Sequence, residues 1–508
     1  MPIRVGDELD LEDVVTVARG ERVELPEEAV RRMLASREVV EAKVSAGETV
    51  YGVTTGIGSL ANVRISPAQS EQLQVDIIRS HATGVGPDLS REEARAMLLL
   101  RAHVLALGHS GVRPQIVELM VAMLNRDVVP AVPQQGSLGA SGDLAPLAHL
   151  ALPLIGSGRV LTSDGSRPAG EAFADAGLDS ITLSAKEGLA LVNGTQGMLA
   201  VGILAAERAA RLHRAADVAA AMTLEAALGS DRPFDERLHR LRPHPGQSNS
   251  ASNLRRLLEG SGIVASHRES GHLVQDAYSI RCAPQVHGAS RDVLAFCEGV
   301  LAREIGSVSD NPVVFAEEAD VVSGGNFHGQ PVAVALDALA AAAVSLASIS
   351  ERRLYRLLDP ALNNGLPAFL VKESGLNSGF MLVQYTAASL VSESKALAHP
   401  AAIDSIPSSA GQEDHVSMGM TAARHARDCV AAAEIVVALE ALAAAQGVDL
   451  RAPLEPAAGT RAARDALREV ATHLEADREL GPDIEAALEL VRGGRLVAAA
   501  EEAVGALA

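Results

Sequence analysis

One stretch of the chain, residues 136–152, combines a reactive hydroxyl with small neighbours in the run GSLGASGDLAPLAHLAL. It departs from the nucleophile elbow G-x-S-x-G, because Asp143 stands two residues after Ser141. It also departs from the phosphate-binding loop, which requires a Lys-Ser or Lys-Thr pair. The glycine spacing fits a turn before a helix that begins near Asp143, and this structural interpretation stays open beside a catalytic one.

The tripeptide Ala140-Ser141-Gly142 has the residue types for an internal condensation. If the amide nitrogen of Gly142 attacks the carbonyl carbon of Ala140, a five-membered ring closes, and loss of water gives an imidazolone. Loss of a second water, from Ser141, leaves an exocyclic methylidene, which is an electrophile. Alanine and glycine suit this step because bulky side chains would block the close backbone approach. Asp143 either assists the proton transfers or supplies the charge of a helix N-terminus.

This run closely resembles the active-site signature of the aromatic amino-acid and histidine ammonia-lyases, and similar segments extend from about Tyr51 to Gly419. In that family the tripeptide becomes 4-methylidene-imidazol-5-one (MIO). The resemblance implies that MIO forms autocatalytically from Ala140, Ser141 and Gly142 and that no external cofactor is needed. It also implies a homotetramer whose active sites combine residues from different subunits.

The implied reaction is difficult, because the β-hydrogen of an amino acid is barely acidic and an amine is a poor leaving group. An electrophile that captures the amine answers the second difficulty, and a positioned base answers the first. By resemblance, the substrate amine adds to the methylidene carbon, and Tyr51, in YGVTTGIG, removes the β-proton. Arg281 holds the α-carboxylate, for which the guanidinium fork is suited.

Four further residues match the family's site. Asn193, in LVNGTQG, resembles the asparagine that contacts MIO and substrate. In QDAYSIRCAPQVHG, Gln275, Tyr278 and Arg281 follow at intervals of three and share one broad face of a helix or tight turn. The resemblance makes Tyr278 a catalytic residue that supports MIO and proton traffic, and Gln275 a substrate-positioning residue. Phe327, in GGNFHGQP, matches the aromatic packed near MIO.

Two positions favour histidine as the substrate. In IIRSHATGVG, the pair Ser80-His81 resembles the histidine enzymes, whereas phenylalanine enzymes resemble Phe-Leu here and tyrosine enzymes His-Leu. In GQEDHVSMG, Glu413 stands where phenylalanine enzymes carry glutamine. His81 exchanges a hydrogen bond with an imidazole, and the Glu413 carboxylate accepts from the imidazole or shares its proton. Glu413 is therefore a candidate for both substrate binding and catalysis.

The predicted activity is the conversion of L-histidine to trans-urocanate and ammonia, the first step of histidine degradation. The alternatives within the family are a phenylalanine or tyrosine ammonia-lyase or an aminomutase. Outside it stand a helical scaffold without catalysis and a nucleotide-binding oxidoreductase. For the latter, GIGSLA at residues 56–61 fits G-x-G-x-x-A, with Asp76 near the distance of a ribose-binding acid. The sequence that follows is helical, which argues against such a site. Separately, the lyase family more usually has phenylalanine where this chain has Ile57.

Charge and cysteine content exclude several classes of partner and site. The chain has 44 basic and 64 acidic residues, a net charge of −20, which argues against a nucleic-acid partner. Its three cysteines are too few and too scattered for a disulfide framework, and the N-terminus places acids where a signal peptide needs an apolar run. A reducing cytoplasm is the predicted location. No HExxH or paired-cysteine pattern occurs around His328, Glu413 and His415, so no metal is predicted.

The elements that must position these residues are mainly helices. The sequence predicts a helix from Pro26 to Gly47 and another capped by Ser90 with Glu93 three residues on. Between them, YGVTTGIGSLANVRIS reads as a loop, and RVLTSDGSRPAG as a small hairpin. Four long alanine-rich segments also predict helices. These segments are Gly197–Leu228, Pro331–Leu358, Gly379–His399 and Gly419–Gly447.

Together these patterns predict a mainly α protein. Hydrophobic residues make up 48% of the 508 positions but aromatic residues only 2%, which suits closely packed helices. A mixed N-terminal lobe, residues 1–196, is expected to carry the catalytic loop and the MIO segment, and residues 197–508 a long helical bundle with C-terminal helices. The most membrane-like stretch, Val332–Ile349, is weakly hydrophobic and is predicted to lie in the bundle core rather than in a membrane.

Overall fold

Helices dominate the computed structural model, which describes residues 2–270 and 274–508. Twenty α-helices lie in these residues: α1 (Leu11–Ala18), α2 (Glu27–Ser45), α3 (Pro67–His81), α4 (Arg91–Ala106), α5 (Pro114–Asn125), α6 (Leu144–Ala151), α7 (Ala169–Ala176), α8 (Glu187–Val192), α9 (Gln196–Ala226), α10 (Glu236–Arg240), α11 (Pro245–Leu257), α12 (Gly262–Ser266), α13 (Tyr278–Arg281), α14 (Ala283–Ile305), α15 (Gln330–Leu358), α16 (Met381–Leu397), α17 (Gly419–Asp449), α18 (Ala458–Val470), α19 (Gly481–Arg492) and α20 (Arg495–Val504).

Strands in the described residues are short and occur as two-stranded pairs. They are β1 (Ile3–Arg4), β2 (Val23–Glu24), β3 (Val85–Asp88), β4 (Pro133–Gln135), β5 (Arg159–Thr162), β6 (Gly165–Pro168), β7 (Val313–Phe315) and β8 (Asp320–Val322). β1 and β2 are parallel, and the other three pairs are antiparallel. The predicted hairpin is confirmed, with Thr162 opposite Gly165 in β5 and β6. The mainly α class is confirmed as well.

The predicted helices are also confirmed. The four long alanine-rich segments form α9, α15, α16 and α17, each within two residues of its predicted ends. Helix α4 begins with a capping box, because the Ser90 hydroxyl accepts from the backbone of Glu93 and the Glu93 carboxylate accepts from that of Ser90. Helix α2 follows Pro26 and ends at Ser45.

Contacts divide the chain into two compact units. Unit 1 consists of Met1–Leu204, Cys297–Asp337 and Pro400–Arg424. It contains all the described strands, and its central helix α4 is buried from Glu93 to Ala106 against α1, α2 and α5. Helices α6 and α8 pack against α3, and the loop of residues 51–66 joins α2 to α3.

Unit 2 is helical and consists of Ala205–Phe296, Ala338–His399 and His425–Ala508. Helices α9, α14, α15 and α17 each include residues assigned to both units. The two units therefore alternate along the chain. The sequence predicts instead two continuous domains that meet at residue 197, and that boundary stays a prediction.

By length and composition, α15 passes the test for a membrane span within the described residues. However, 72% of its most apolar window is buried inside the structure, as in the core helix of a bundle.

Candidate active site

One cavity of unit 1 brings together residues that lie far apart in the sequence. It has a volume of about 430 Å³, and its lining includes Tyr51, Ala140, Ser141, Phe327 and Glu413. All five are candidates from the sequence. They reach the cavity from four segments of unit 1, namely the loop after α2, the turn before α6, the segment before α15 and the segment before α17.

The tripeptide forms a turn in which only small residues fit. Ser141 and Gly142 have positive φ angles of 49° and 78°. A Cβ atom on Gly142 would lie 2.0 Å from the carbonyl oxygen of Gly194. This same oxygen accepts from the backbone nitrogen of Asp143 at 2.7 Å, and the nitrogen of Gly194 donates to the carbonyl oxygen of Ser141 at 3.1 Å. The cradle thus fits a condensed Ala-Ser-Gly group, because residue 142 must approach neighbouring backbone closely.

Asp143 is fully buried directly after the tripeptide, at the start of α6. Its carboxylate accepts from the Ser137 hydroxyl at 2.8 Å and from the backbone nitrogen of Met198 at 2.7 Å. Burial raises the pKa of Asp143 to about 6, because desolvation of the charged form outweighs these hydrogen bonds. The side chain makes no capping bond to α6, and its bond to Met198 lies in the first turn of α9 instead.

Tyr51 is held by its own loop. Its phenolic oxygen accepts a hydrogen bond from the backbone nitrogen of Gly58 at 3.0 Å. Gly58 itself has a φ of +55°, and a Cβ there would lie 2.7 Å from Oγ of Ser409. The backbone nitrogen of Ser59 donates to the same Oγ at 3.3 Å. The loop that carries Tyr51 therefore packs against the segment that leads to Glu413.

A second cavity, of about 250 Å³, borders the other side of the tripeptide and is lined by His81, Ala140 and Glu413 among others. Nδ1 of His81 lies 2.7 Å from the carbonyl oxygen of Ile77. Because a carbonyl oxygen only accepts, Nδ1 carries the hydrogen, and Nε2 of the neutral ring is an acceptor. The Glu413 carboxylate accepts from the Ser408 hydroxyl at 2.8 Å. His81 and Glu413, the two side chains that favour histidine as the substrate, thus line the same cavity.

Asn193 is placed differently. It is 2% exposed, and neither cavity is lined by it in the described part of unit 1. Its side-chain nitrogen donates to a carboxylate oxygen of Asp310 at 3.2 Å and to the carbonyl oxygen of Asn311 at 3.1 Å. Asn311 lines the larger cavity, so Asn193 lies one residue behind its wall.

Gln275, Tyr278 and Arg281 belong to unit 2. The side chain of Tyr278 is 71% exposed, and the guanidinium carbon of Arg281 lies 4.5 Å from the centre of its ring. Nε of Arg281 donates to the carbonyl oxygen of Asp276 at 3.0 Å. The short helix α13 begins at Tyr278 and ends at Arg281, whereas Gln275 precedes it, so the shared face of all three residues stays a prediction. The guanidinium and the phenol therefore form a pair in which the phenol is exposed and the guanidinium partly buried.

Two residues of the larger cavity were not assigned a role from the sequence. The rings of His328 and His415 stack with centroids 5.9 Å apart and planes 9° apart. The sequence offers these histidines only as metal ligands, and no group of three or more metal-binding side chains occurs in residues 2–270 and 274–508. The buried charged residues Arg101, Lys186 and Asp310 were missed entirely, because no motif or spacing separates them from ordinary helix charges.

Both the sequence and the fold have known relatives. The sequence model of a family described as "Aromatic amino acid lyase" matches residues 9–469. A histidine ammonia-lyase of Sorangium cellulosum is 54% identical, over 99% of each chain. Among solved structures, histidine ammonia-lyase from Trypanosoma cruzi is 44% identical, with a TM-score of 0.91 over 99% of this chain and 96% of that one. Tyrosine aminomutase from Streptomyces globisporus is 38% identical, with a TM-score of 0.94 over all of both chains.

Proposed function

The chain belongs to the aromatic amino acid lyase family, and from that premise we propose that this carbon–nitrogen lyase converts L-histidine to trans-urocanate and ammonia. The observation that supports the proposal most is the meeting of Tyr51, Ser141 and Glu413 at one cavity. The relatives named histidine ammonia-lyase, at 54% identity over nearly the full chain, favour this substrate over phenylalanine or tyrosine.

Ala140, Ser141 and Gly142 are the residues that would form MIO, since the cradle around Gly142 leaves no room for a side chain. Once formed, MIO supplies an electrophilic carbon for the substrate's amino group. Asp143, with a pKa raised to about 6 by burial, is ionised at neutral pH and is suited to accept protons during the condensation. No external cofactor enters this scheme.

Tyr51 is the base in this proposal, and it takes the β-proton of the substrate. Its oxygen accepts from Gly58, so a donor already faces the atom that must carry negative charge when the phenol is deprotonated. Phe327 closes the apolar side of the same cavity. We assign to Asn193 the orientation of substrate through Asn311, whose carbonyl oxygen it holds.

The imidazole of the substrate lies between His81 and Glu413 in this scheme. Nε2 of His81 accepts the imidazole N–H, and the other ring nitrogen shares a proton with the Glu413 carboxyl group. A benzene ring would offer no hydrogen bond to either group, and a buried polar atom left unpaired in this way costs about 1–3 kcal/mol. The pair therefore selects histidine.

Arg281 binds the α-carboxylate, while Gln275 positions the substrate and Tyr278 supports proton transfer. Because Tyr278 is 71% exposed in the single chain, we propose that this segment completes the site of a neighbouring subunit in a homotetramer. We also place this soluble enzyme in the cytoplasm, at the opening step of histidine degradation. Light scattering of the purified protein tests the tetramer.

The decisive experiment compares product formation from L-histidine, L-phenylalanine and L-tyrosine by ultraviolet absorbance, together with the intact mass of the protein. The mature chain should weigh two water molecules less than its sequence. The variant Ser141→Ala lacks the hydroxyl that leaves in the second dehydration, so it should lose at most one water and have no activity, whereas Ser163→Ala, at an exposed hairpin turn, should behave as the wild type does. Normal turnover by the Ser141 variant would contradict the proposal.

A further inference from the structure

The peptide group that joins Asn193 to Gly194 lies between a buried cation and the tripeptide. At its oxygen end, Nη1 of Arg101 donates to the carbonyl of Asn193 at 2.6 Å. At its nitrogen end, Gly194 donates to the carbonyl oxygen of Ser141 at 3.1 Å. A charged donor on a peptide oxygen polarises the whole peptide group, so its N–H becomes a stronger donor. Arg101 and the Ser141 carbonyl thus contact opposite ends of one peptide group.

Three buried charged side chains form a connected group beside this peptide. Arg101, Lys186 and Asp310 are all fully buried. Nζ of Lys186 pairs with a carboxylate oxygen of Asp310 at 2.7 Å, so Arg101 is left as the excess positive charge of the three. Burial lowers the pKa of Arg101 to about 10, which still leaves its guanidinium charged at neutral pH.

The guanidinium of Arg101 is also incompletely paired. Its Nη1 donates to Asn193 and to the side-chain oxygen of Gln196, at 2.6 and 2.8 Å. Its Nε and Nη2 are buried and find no hydrogen-bond partner within residues 2–270 and 274–508. A buried cation with unsatisfied donors costs several kcal/mol. Stability alone does not explain why such a group stands in the middle of α4.

The other two buried charged residues, Lys186 and Asp310, hold the Asn193–Gly194 peptide in place. Lys186 has a φ of +76°, a conformation that costs a non-glycine residue about 1–3 kcal/mol, and its ion pair with Asp310 keeps it there. The other oxygen of Asp310 accepts from the side chain of Asn193 at 3.2 Å. A Cβ on Gly194 would lie 2.5 Å from Gln196 and 2.8 Å from Arg101. These contacts therefore fix the position of the Asn193–Gly194 peptide.

We propose that Arg101 is a positioning residue that promotes the dehydration of Ser141 by polarising the Asn193–Gly194 peptide. In that step a base removes the Cα proton of Ser141, and the electron pair forms the Cα–Cβ double bond. The hydroxyl leaves Cβ with a proton, so one water is released. Negative charge develops on the Ser141 carbonyl oxygen when the Cα proton departs, and the Gly194 N–H that faces this oxygen stabilises it. The inference rests on the proposed function, because it concerns how the internal electrophile is made.

Three variants made by cell-free synthesis of the full chain test this role, with intact mass followed over time. Arg101→Gln keeps a neutral donor and removes the charge, and it should slow the loss of two waters about tenfold, because the donor to Ser141 remains but is weaker. Arg101→Lys keeps the charge and should stay within about threefold of the wild type. Arg95→Gln is the matched control, because Arg95 is another buried arginine of α4 that donates to backbone carbonyls, those of Val17 and Leu124. It should mature at the wild-type rate.

Thermal unfolding of the same samples separates this role from a structural one. The Arg101→Gln variant should unfold no earlier than the wild type, since it removes an uncompensated buried charge. Equal maturation rates of the wild type and Arg101→Gln would overturn the inference. A folded Arg101→Lys variant that matures slowly would overturn it as well, and this second test still applies if Arg101→Gln does not fold. A wild-type chain that keeps its full sequence mass would instead overturn the proposed function.

Discussion

Gly58 donates its backbone N–H to the phenolic oxygen of Tyr51 across 3.0 Å. The two residues are seven positions apart, and the loop between them closes on itself so that the oxygen accepts rather than donates. Tyr51 lines the same cavity as Ser141, so the loop presents to that cavity a phenol whose oxygen already faces a backbone donor. The proposed roles of Tyr51 as the base and of the tripeptide as the electrophile can be tested separately.

Replacing Tyr51 by phenylalanine should abolish the base while leaving the ring in place. We expect turnover of L-histidine to fall by about 10² to 10⁴, the usual contribution of a positioned acid or base. The mass of the protein should still be two waters below its sequence, because Tyr51 has no part in the condensation. Tyr385→Phe, at an exposed position of α16, is the control and should keep wild-type turnover. Wild-type urocanate formation by the Tyr51 variant would exclude it as the base.

Replacing Glu413 by glutamine should weaken selection for histidine. A hydrogen bond to a charged group is worth about 1.5–3 kcal/mol, so kcat/KM for L-histidine should fall by roughly ten- to a hundredfold. The ratio of histidine to phenylalanine turnover should fall with it, and Glu318→Gln, at an exposed position between β7 and β8, should change neither value. An unchanged substrate ratio would remove Glu413 from the imidazole site.

Two glycines with similar φ angles separate backbone strain from steric exclusion. Gly142 has a φ of +78° and Gly494 of +74°, but a Cβ on Gly142 meets the Gly194 oxygen at 2.0 Å, whereas a Cβ on Gly494 meets nothing within 4 Å. Gly494→Ala should lower the free energy of unfolding by about 1–2 kcal/mol and leave the two-water mass loss intact. Gly142→Ala should prevent the mass loss. A fully condensed Gly142→Ala protein would show that the cradle does not restrict this position.

The helices could be predicted from the sequence because their signals are local. The capping residues Ser90 and Glu93 mark the start of α4 within four positions, and alanine-rich periodicity fixes α9 and α17 within two residues. The grouping of residues 297–337 and 400–424 with the N-terminal part depends on long-range packing, for which a single sequence carries no local signal.

Site residues were predictable where a motif carries them. Ser141 and Glu413 stand in distinctive runs, and they do line one cavity. Arg101 lies in an ordinary apolar helix, and its contact with the Asn193 carbonyl joins positions 92 apart in the sequence. Since pairing with a distant backbone oxygen leaves no pattern in the residues themselves, that part of the site appears only when the fold is known.

Asp143 gives the condensation a predicted pH dependence. Its pKa is raised to about 6 by burial, so the carboxylate loses its ability to accept protons below that pH. The rate of two-water loss should rise as the pH increases through about 6 and level off by about pH 8, and Asp143→Asn should be slow throughout. The stability effect has the opposite sign, because a raised carboxyl pKa makes this group's contribution to unfolding free energy fall as pH rises from about 4 to 6. A wild-type rate that does not change between pH 5 and 8 would contradict the role of Asp143.

Asp217 should make unit 2 sensitive to acid. Burial by itself raises the pKa of this carboxyl, but Arg291 and His287, each 2.7 Å away, outweigh it and hold the pKa below its ordinary value of 3.8. A lowered pKa contributes stability that is present above the ordinary value and is lost as pH falls below it. Asp217→Asn leaves Arg291 without its buried partner and should lower the free energy of unfolding by about 3–5 kcal/mol at pH 7.

The difference between wild type and Asp217→Asn in urea unfolding should therefore shrink as the pH is lowered below about 4. The exposed pair of Asp235 and Arg237 provides the control. Asp235→Asn should leave the urea midpoint nearly unchanged, because solvent screens a surface pair. If the Asp217 variant were as stable as the wild type at pH 7, the cost of burying the carboxylate would equal the gain from its bonds to Arg291 and His287, and the acid sensitivity of unit 2 would have to come from another group.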